Sequence, residues 1–407
     1  MSESVNILAL FDSHTPYLSF RLNAFCEDLK KRGLDDRIKV HVVWIGAEEK
    51  SYGWGGEKLQ DLYQAPVHVL SDAFRGLGMK SFLHPSVPLC GWRLLKLLIQ
   101  LRPRVCFVGG YDRPESILTT LLSKLWGGKT GVWNDSKFSD QESYARSSWL
   151  EWVKGRVVAL YDFYMCPGRE SVEYHRFLGG RNKVAFEGGW DVVDNESIAR
   201  AAGDPTRDDE IYESFQLEKG TDFYYMPIRF IPKKNPDRVL QAYAQYRDAV
   251  GAEDTLPLVM SGKGPLEDEI RAKVEEFGLG DHIRIAPWLP YERVPRACRL
   301  SRAVLLASLH DQWGLIINEA LASGTPVLAS NRCGGHALIK NSVNGFTFEP
   351  RDVEHLAHLL TLMTEDQALV ERMSAASEPS MESFSIRHFL ETHFEILRMY
   401  NLIPQQI

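Results

Sequence analysis

Short apolar segments alternate with helical segments through the first half of this 407-residue chain. Segments such as VNILALF, IKVHVVWIG and RVCFVGG have the composition of buried strands, and each is followed by a longer segment with helical patterning. Apolar strands that alternate with helices predict a parallel sheet covered by helices on both faces. The chain is therefore expected to have an α/β fold, in which ligands bind at the carboxyl ends of the strands.

The same alternation resumes near residue 220, after the polar stretch DNESIARAAGDPTRDDE that begins at Asp194. Charged residues broken by Gly and Pro are typical of an interdomain linker. With 44% hydrophobic residues, the chain has enough apolar side chains for two domains of about 200 residues. We predict a first domain over residues 1–205 and a second over 206–380.

The loops that follow strands of the first domain lie where an α/β sheet binds its ligand. The loop after the first strand contains His14, with Arg21 in the helix that follows, and the loop after the fifth strand contains Asp135. A surface turn for His14, a solvated helix position for Arg21 and a turn or cap for Asp135 are the plainer interpretations.

A second feature is the stretch HDQWGLIINEALASGTPVLASNRC, residues 310–333. Gly314 marks a turn into a helix that ends at Gly324, and a buried strand follows. Backbone N–H groups at a helix start attract phosphate. Asp311 and Glu319, with seven residues between them, can accept hydrogen bonds from sugar hydroxyls. An ordinary amphipathic helix with an Asp cap is the alternative.

Cations precede this stretch in IRFIPKKNPDRVLQAY. Arg229 ends a strand and Lys234 follows five residues later, so the two can converge on a diphosphate. A solvated basic turn is the alternative, and the adjacent Lys233 is easily confused with Lys234. The segment MSGKGP contributes a Gly-x-Gly turn with Gly262 and Gly264, which is a weak signal by itself.

The stretch DQWGLIINEALASGTPV resembles the signature of the retaining glycosyltransferases of family 4. That family has the GT-B fold, in which two Rossmann-like domains with parallel sheets face each other across a cleft. This chain has Asp311 where most of the family has Glu, so its carboxylate reaches one methylene less far. The resemblance is dense over residues 229–348 and rests only on pattern in the first domain. It also implies that residues 381–407 form a helix that packs back on the first domain.

The resemblance implies a nucleoside-diphosphate sugar as the donor. In that scheme Arg229 and Lys234 stabilise the departing diphosphate, Asp311 holds the transferred sugar, and Glu319 binds the ribose hydroxyls. The residues expected to contact the donor nucleotide or its phosphates are Gly262, Gly264, Trp288, Gln312, Trp313, Gly314, Leu315 and Glu319.

On the acceptor side, the resemblance makes Asp135 a candidate for acceptor binding or for a general base. Many relatives carry a His near this point and a Gly pair in the first loop, and this chain has neither. The implied mechanism is a front-face displacement in which the leaving phosphate oxygen helps to take the acceptor proton, so no strong protein base is required. No DxD-like pair lies at a strand end, so we expect neither a metal nor another cofactor.

Charge and cysteine content restrict the partners and the compartment. Residues 1–200 carry 26 Lys and Arg against 24 Asp and Glu, and the remainder carries 21 against 30, so a mildly basic half precedes an acidic one. No strong basic run or nucleic-acid motif appears, so no nucleic acid is expected as a partner. Six scattered cysteines without a CxxC pair favour reduced, buried thiols.

The N-terminus lacks a basic region before its short apolar run, and it therefore favours a first strand over a signal peptide. No apolar run approaches the roughly 20 residues of a membrane span. We expect a cytoplasmic protein, at most peripheral on the inner face of the membrane. Residues 74–83 and the helix around Trp149 and Trp152 mix basic and large apolar side chains that suit a bilayer, although partial burial is the more usual explanation.

The predicted function is that of a retaining, hexosyltransferase-type enzyme. It would move a sugar from a nucleoside-diphosphate sugar to a hydroxyl of a glycan or lipid-linked acceptor, in cell-envelope or exopolysaccharide synthesis as the resemblance implies. One alternative is another enzyme on the same scaffold, either a sugar-nucleotide epimerase or a phosphorylase with a pyridoxal cofactor. Another is a non-catalytic protein that binds nucleotide sugars. A Rossmann dehydrogenase is disfavoured, since no GxGxxG follows the first strand.

Overall fold

The computed structural model describes residues 4–12, 16–46, 61–71, 87–138, 148–180 and 182–405. His14 and residues 74–83 lie outside the described residues, so the predictions made for them stay predictions. The chain divides into two compact units, the first made of Met1–Val192 with Ile386–Ile407 and the second of Val193–Ser385.

The first unit contains a parallel sheet with seven strands among the described residues, in the order β3-β2-β1-β4-β5-β6-β7. The strands are β1 Val5–Phe11, β2 Ile38–Trp44, β3 Val67–Val69, β4 Val105–Gly109, β5 Lys129–Trp133, β6 Phe163–Cys166 and β7 Val184–Glu187. The helices between them are α1 Pro16–Lys31, α2 Val87–Leu101, α3 Pro114–Ser123, α4 Ser148–Val158 and α5 Arg169–His175.

The second unit contains a parallel sheet with the order β10-β9-β8-β11-β12-β13. Its strands are β8 Tyr224–Pro227, β9 Leu258–Ser261, β10 Ile283–Ala286, β11 Ala303–Leu306, β12 Val327–Ser330 and β13 Gly345–Phe348. Its helices are α6 Asn195–Gly203, α7 Asp208–Ser214, α8 Pro236–Val250, α9 Glu267–Glu276, α10 Val294–Leu300, α11 Ile316–Ala322, α12 Val353–Glu365 and α13 Gln367–Ser380. The predicted pair of Rossmann-like α/β domains is confirmed.

The last helix, α14 Ile386–Met399, is part of the first unit and packs against α1. Because side chains alternate along a strand, Phe107 and Trp133 point to the sheet face that α14 covers. His393 of α14 lies with its ring centroid 4.8 Å from that of Phe107 and 5.6 Å from that of Trp133. Burial lowers the pKa of His393 to about 4, although its hydrogen bond to the Phe389 carbonyl opposes the shift.

The other face of the first sheet carries a continuous core to which α2, α3, α4 and α5 all contribute. Its members include Cys90 and Leu94 from α2, Val158 from α4 and Val172 from α5, with Leu118 of α3 packed against them. These four helices therefore form one layer on one side of the sheet.

The stretch predicted as a linker is helical, which corrects the sequence analysis. Asp194 caps α6 by accepting a hydrogen bond of 3.0 Å from the Ser197 N–H, and Ile198 and Ala202 of that helix are buried. Since α6 packs against α10 and α11, it is part of the second unit. The boundary therefore lies at Val192, earlier than the predicted residue 205.

Arg21 is not solvated, because only 2% of it is exposed. Its Nε donates a hydrogen bond of 2.9 Å to the Val192 carbonyl, its Nη2 lies 3.4 Å from Asp191 Oδ1, and its guanidinium stacks 4.7 Å from the Trp190 ring centroid. Burial raises the pKa of Asp191, and the Arg21 charge opposes that shift. Arg21 thus anchors the chain just before it enters the second unit.

The six cysteines are free, and all except the partly buried Cys26 are buried. The predicted absence of a disulfide frame therefore agrees with the structure. Among the helices of the described ranges, none is long and apolar enough to cross a membrane.

Candidate functional site

Two close backbone contacts fix the loop after β8, which contains Arg229. A Cβ at Gly262 would lie 1.8 Å from the Ile228 carbonyl oxygen, and a Cβ at Gly264 would lie 2.5 Å from the Phe230 carbonyl oxygen. The Phe230 N–H also donates a hydrogen bond of 3.0 Å to the Lys263 carbonyl. Both glycines are thus required for the two loops to approach each other, and they fix the backbone on each side of Arg229. Their contact with a donor stays a prediction.

The turn that carries Lys234 is tied to the loop after β11. It is followed by Asn235, which has a left-handed backbone with φ of 60° and is 3% exposed. The Asn235 side chain donates hydrogen bonds of 3.2 Å to the Ala307 carbonyl and 2.7 Å to the Pro350 carbonyl. The Leu309 N–H donates a third, of 2.8 Å, to the Lys233 carbonyl. Asn235 therefore holds the turn that carries Lys234 against the loop after β11, a role that was not predicted from the sequence.

Lys234 and Asp311 meet in an ion pair, in which Lys234 Nζ donates to Asp311 Oδ2. Lys233 Nζ lies 3.8 Å from the other oxygen, Asp311 Oδ1, and Asp311 is 9% exposed. These residues converge because β8 and β11 are adjacent parallel strands whose carboxyl ends share one edge of the sheet. Two lysines beside one carboxylate leave this cluster with a net positive charge, which suits a phosphate group.

The loop from Gln312 to Leu315 turns sharply before α11. Gly314 has a left-handed backbone with φ of 88°, and a Cβ there would lie 2.7 Å from Leu306 Cδ2, so the turn requires glycine. Gln312 is exposed and Leu315 is partly exposed. The loop therefore follows the lysine cluster with a turn that only glycine fits, and its contact with a phosphate stays a prediction.

The Trp313 side chain is buried by its own domain. Its Nε1 donates a hydrogen bond of 2.8 Å to Asn318 Oδ1, and its ring stacks on Phe384 with 5.3 Å between centroids. The Trp313 carbonyl accepts a hydrogen bond of 2.8 Å from the Gly335 N–H, and a ligand contact by this residue stays a prediction. The indole instead fixes the loop in position.

Glu319 lies in α11 and is 4% exposed. Burial raises the pKa of the neighbouring Cys298 thiol well above its usual range, and the negative charge of Glu319 adds to that shift. Burial also raises the pKa of Tyr225 in β8, and the charges of Cys298 and Glu319 add to that shift. The Glu319 carboxylate therefore lies close enough to Cys298 and Tyr225 to affect the pKa of each.

Trp288 follows β10 and is 45% exposed. The loop that carries it is held by Ser261, whose hydroxyl donates a hydrogen bond of 2.7 Å to the Pro287 carbonyl. An indole on a fixed loop at this edge is suited to stacking on a planar ring.

Asp135 lies in the first unit, after β5, and is half-buried. Charged pairs flank it at the carboxyl ends of neighbouring strands. Arg113 Nη2 donates a hydrogen bond of 2.5 Å to Asp12 Oδ2, and Lys137 Nζ lies 3.9 Å from Glu170 Oε2. The sequence analysis missed these two pairs, although each charged residue follows a strand.

Comparisons with known proteins bear mainly on the second unit. Residues 208–379 match the family described as glycosyl transferases group 1. The chain is 30% identical over 162 residues to the D-inositol 3-phosphate glycosyltransferase of Streptomyces griseus, with 38% of this chain and 34% of that protein covered. It is 27% identical over 154 residues to the UDP-Gal:alpha-D-GlcNAc-diphosphoundecaprenol alpha-1,3-galactosyltransferase of Escherichia coli, with 38% and 39% covered. The chain thus spans between a third and two fifths of the length of these two relatives.

The crystal structure of HepE from Anabaena in complex with UDP has the same fold, with a TM-score of 0.73 and 16% identity. The similarity covers 97% of this chain and 100% of that one. The fold is that of the GT-B class, as the sequence predicted. More particularly, the part of the chain that matches the glycosyl transferases group 1 is residues 208–379, which lie in the second unit and make up less than half of the chain.

Proposed function

We propose that the protein is a retaining glycosyltransferase that moves a hexose from a nucleoside-diphosphate sugar to a hydroxyl acceptor. The observation that carries the proposal is the cluster of Lys233, Lys234 and Asp311 at the edge shared by β8 and β11. Arg229 follows the same edge of β8, inside the domain that matches the family. Because HepE holds UDP and the E. coli relative takes UDP-Gal, UDP sugars are the first donors to test.

In this proposal the cations stabilise the leaving group. A departing diphosphate gains negative charge, and preorganised positive groups stabilise that charge more than they stabilise the ground state. Asp311 neutralises one of the two lysine charges in the protein alone. When a diphosphate takes the Lys234 hydrogen bond, the Asp311 carboxylate becomes available to accept one from a hydroxyl of the sugar.

We propose further that no metal ion is required, since the lysines and Arg229 supply the charge that a magnesium ion supplies in other transferases. Transfer should then be unchanged by an excess of EDTA. A loss of transfer that added Mg²⁺ restores would contradict this part of the proposal.

The acceptor is proposed to be a hydroxyl of a glycan or of a lipid-linked sugar in cell-envelope or exopolysaccharide synthesis. The two relatives act on inositol 3-phosphate and on a diphosphoundecaprenol-linked GlcNAc, as their names state. We assign acceptor binding to the edge of the first sheet that carries Asp135. Changing Asp135 to Asn should raise the acceptor KM or lower kcat while donor binding stays unchanged.

The proposal is tested with Arg229→Ala and Glu319→Gln, each assayed with a UDP-sugar panel and a mixture of acceptors. Both variants should lose transfer, and the anomeric configuration of the wild-type product, read by NMR, should match that of the donor. Unchanged activity in both variants would refute the site. An inverted product would refute the retaining mechanism, and binding without turnover by any acceptor would favour a non-catalytic binding protein.

A further inference from the structure

The outward side of helix α2 in the first unit carries large apolar side chains along its length. Leu89, Trp92 and Ile99 are 49%, 56% and 54% exposed. Spacings of three and seven residues place them on one side of the helix. Lys96 lies on the same side, with its Nζ 4.9 Å from the Trp92 ring centroid, and α2 contains no acidic residue.

This side continues over the neighbouring helices. Since α2, α3, α4 and α5 bury their inner sides in one core, their outer sides form one surface, which we call the outer face. Seven of the fifteen large, exposed apolar side chains among the described residues lie on these helices, and Leu125 and Phe177 follow directly after α3 and α5. The seven are Leu89, Trp92, Ile99, Leu121, Trp149, Leu150 and Trp152.

Isolated exposed apolar residues are normal, but a surface of this kind marks an interaction site. On the opposite face of the same sheet, α14 packs Phe389 and His393 against Trp133. The outer face, in contrast, has large apolar groups in water.

Cations are interleaved with the aromatic rings of the outer face. Besides Lys96, the Arg156 guanidinium lies 5.2 Å from the Trp152 ring centroid, and Lys124 is exposed beside Leu125. The acid on α4, Glu151, is paired with Lys154 at 3.0 Å. Tryptophan with lysine and arginine is the composition that binds the headgroup region of a bilayer, where indole rings insert and cations meet anionic lipid.

We propose that the outer face docks the protein on an anionic lipid surface. The interleaved cations favour this occupant over a second copy of the chain, because the same positive groups would face each other across a symmetric contact. Docking needs neither a donor nor transfer, so it stands apart from the proposed function and can be tested even where that proposal fails.

The experiment is sedimentation of the full chain with vesicles of phosphatidylcholine alone or mixed with phosphatidylglycerol. Wild-type protein should pellet with the anionic vesicles and remain in the supernatant with the neutral ones. Raising the salt concentration from 0.1 M to about 0.5 M should weaken binding, since it shortens the screening length. The variant Leu89→Ser/Trp92→Ser/Ile99→Ser should lose most of the binding.

Charge is tested separately by Lys96→Gln/Arg156→Gln, which should lower the partition coefficient about fivefold for each cation removed. The matched control Lys30→Gln/Lys31→Gln removes two exposed cations from α1, which lies outside the outer face, and should bind as wild type does. For the apolar variant, the control is Val184→Ser/Val343→Ser, which changes exposed residues elsewhere.

Wild-type protein that ignores anionic vesicles would overturn the proposal. So would equal losses in the outer-face and control variants. A dimer that the apolar variant dissociates, without vesicle binding, would assign the outer face to a second copy and also overturn it.

Discussion

The carboxyl edges of the two sheets are built in different ways. In the second unit, close backbone contacts join the loops in addition to the Lys234–Asp311 ion pair, as in the approach of Gly262 to the Ile228 carbonyl and the hydrogen bond from Leu309 to Lys233. In the first unit, side-chain ion pairs such as Arg113 with Asp12 cross between loops.

This difference explains why the resemblance to known glycosyltransferases is dense in only one domain. A Cβ at Gly262 would lie only 1.8 Å from the Ile228 carbonyl oxygen, and Gly314 has a left-handed backbone, so both positions accept few residue types and leave a recognisable motif. Ion pairs between long side chains accept many spacings and leave none. A site built on such backbone contacts, as in the second unit, can therefore be recognised from the sequence. A site built on side-chain ion pairs, as in the first unit, cannot.

The largest expected effect is that of Lys234→Ala, which removes the cation hydrogen-bonded to Asp311. Transfer, measured as kcat/KM, should fall about 10²- to 10³-fold, as for the loss of one group that stabilises a developing oxyanion. The adjacent Lys233→Ala is the matched control and should cost less than about tenfold, because its Nζ lies farther from the carboxylate. Equal losses of kcat/KM in the two variants would contradict a specific role for Lys234.

Asp311→Asn should separate binding from transfer. Without the carboxylate, Lys234 keeps its full charge for phosphate, so the Kd for the nucleoside diphosphate should stay the same or fall while kcat drops by about tenfold or more. Asp311→Glu restores the longer carboxylate that most of the resembling family carries and should retain transfer. Isothermal titration and initial rates measure the two quantities, and weaker diphosphate binding by Asp311→Asn would contradict the assigned role.

Gly262→Ala tests the backbone contact itself. The added methyl group would overlap the Ile228 carbonyl, so the variant should be destabilised by about 1–3 kcal/mol and should bind donor more weakly. Gly91→Ala in α2 of the first unit has open space around its Cβ and should instead gain about 0.5–1 kcal/mol. Thermal denaturation distinguishes the two, and a stable Gly262→Ala variant would show that the loops can separate freely.

The smallest effect concerns the buried side of the first unit. Native His393 has a pKa near 4, whereas an unfolded histidine takes a proton near pH 6.5. The neutral His393 side chain therefore makes its full contribution to stability above pH 6.5, and this contribution declines on acidification towards pH 4. At pH 5.5 the free energy of unfolding should be lower by about 1 kcal/mol. His393→Phe should flatten the fall in unfolding midpoint between pH 7 and 5.5. The same change at the exposed His358 should not, and equal slopes would contradict this explanation.

Much of the fold could be predicted from the sequence, because apolar runs such as VNILALF predict a buried strand wherever they occur. The short strand β7 was missed, since it has four residues, of which only Phe186 is buried. A solvated position was the plainer interpretation of Arg21, because no local pattern reveals a partner that lies 171 residues away at Val192.

The residues of the candidate site were predicted from the sequence, but most of the contacts between them were not. Arg229, Lys234, Asp311 and Glu319 were named from motif and resemblance, but the pairing of Lys234 with Asp311 depends on β8 lying beside β11. The buried indole of Trp313 is a second example. The motif predicts a ligand contact for this loop, which stays a prediction, but it does not reveal that the ring stacks on Phe384 in a later part of the chain.

The central claim, that the edge of the second sheet is a nucleotide-sugar site, is tested most directly by thermal stability against a panel of UDP-, GDP-, ADP- and dTDP-sugars. A ligand that binds only the folded state raises the midpoint with its concentration. We expect one nucleotide to raise the midpoint of the wild type and of Asp135→Asn, and to leave Lys234→Ala unshifted. No shift with any nucleotide, or a shift lost in Asp135→Asn and kept in Lys234→Ala, would contradict the account.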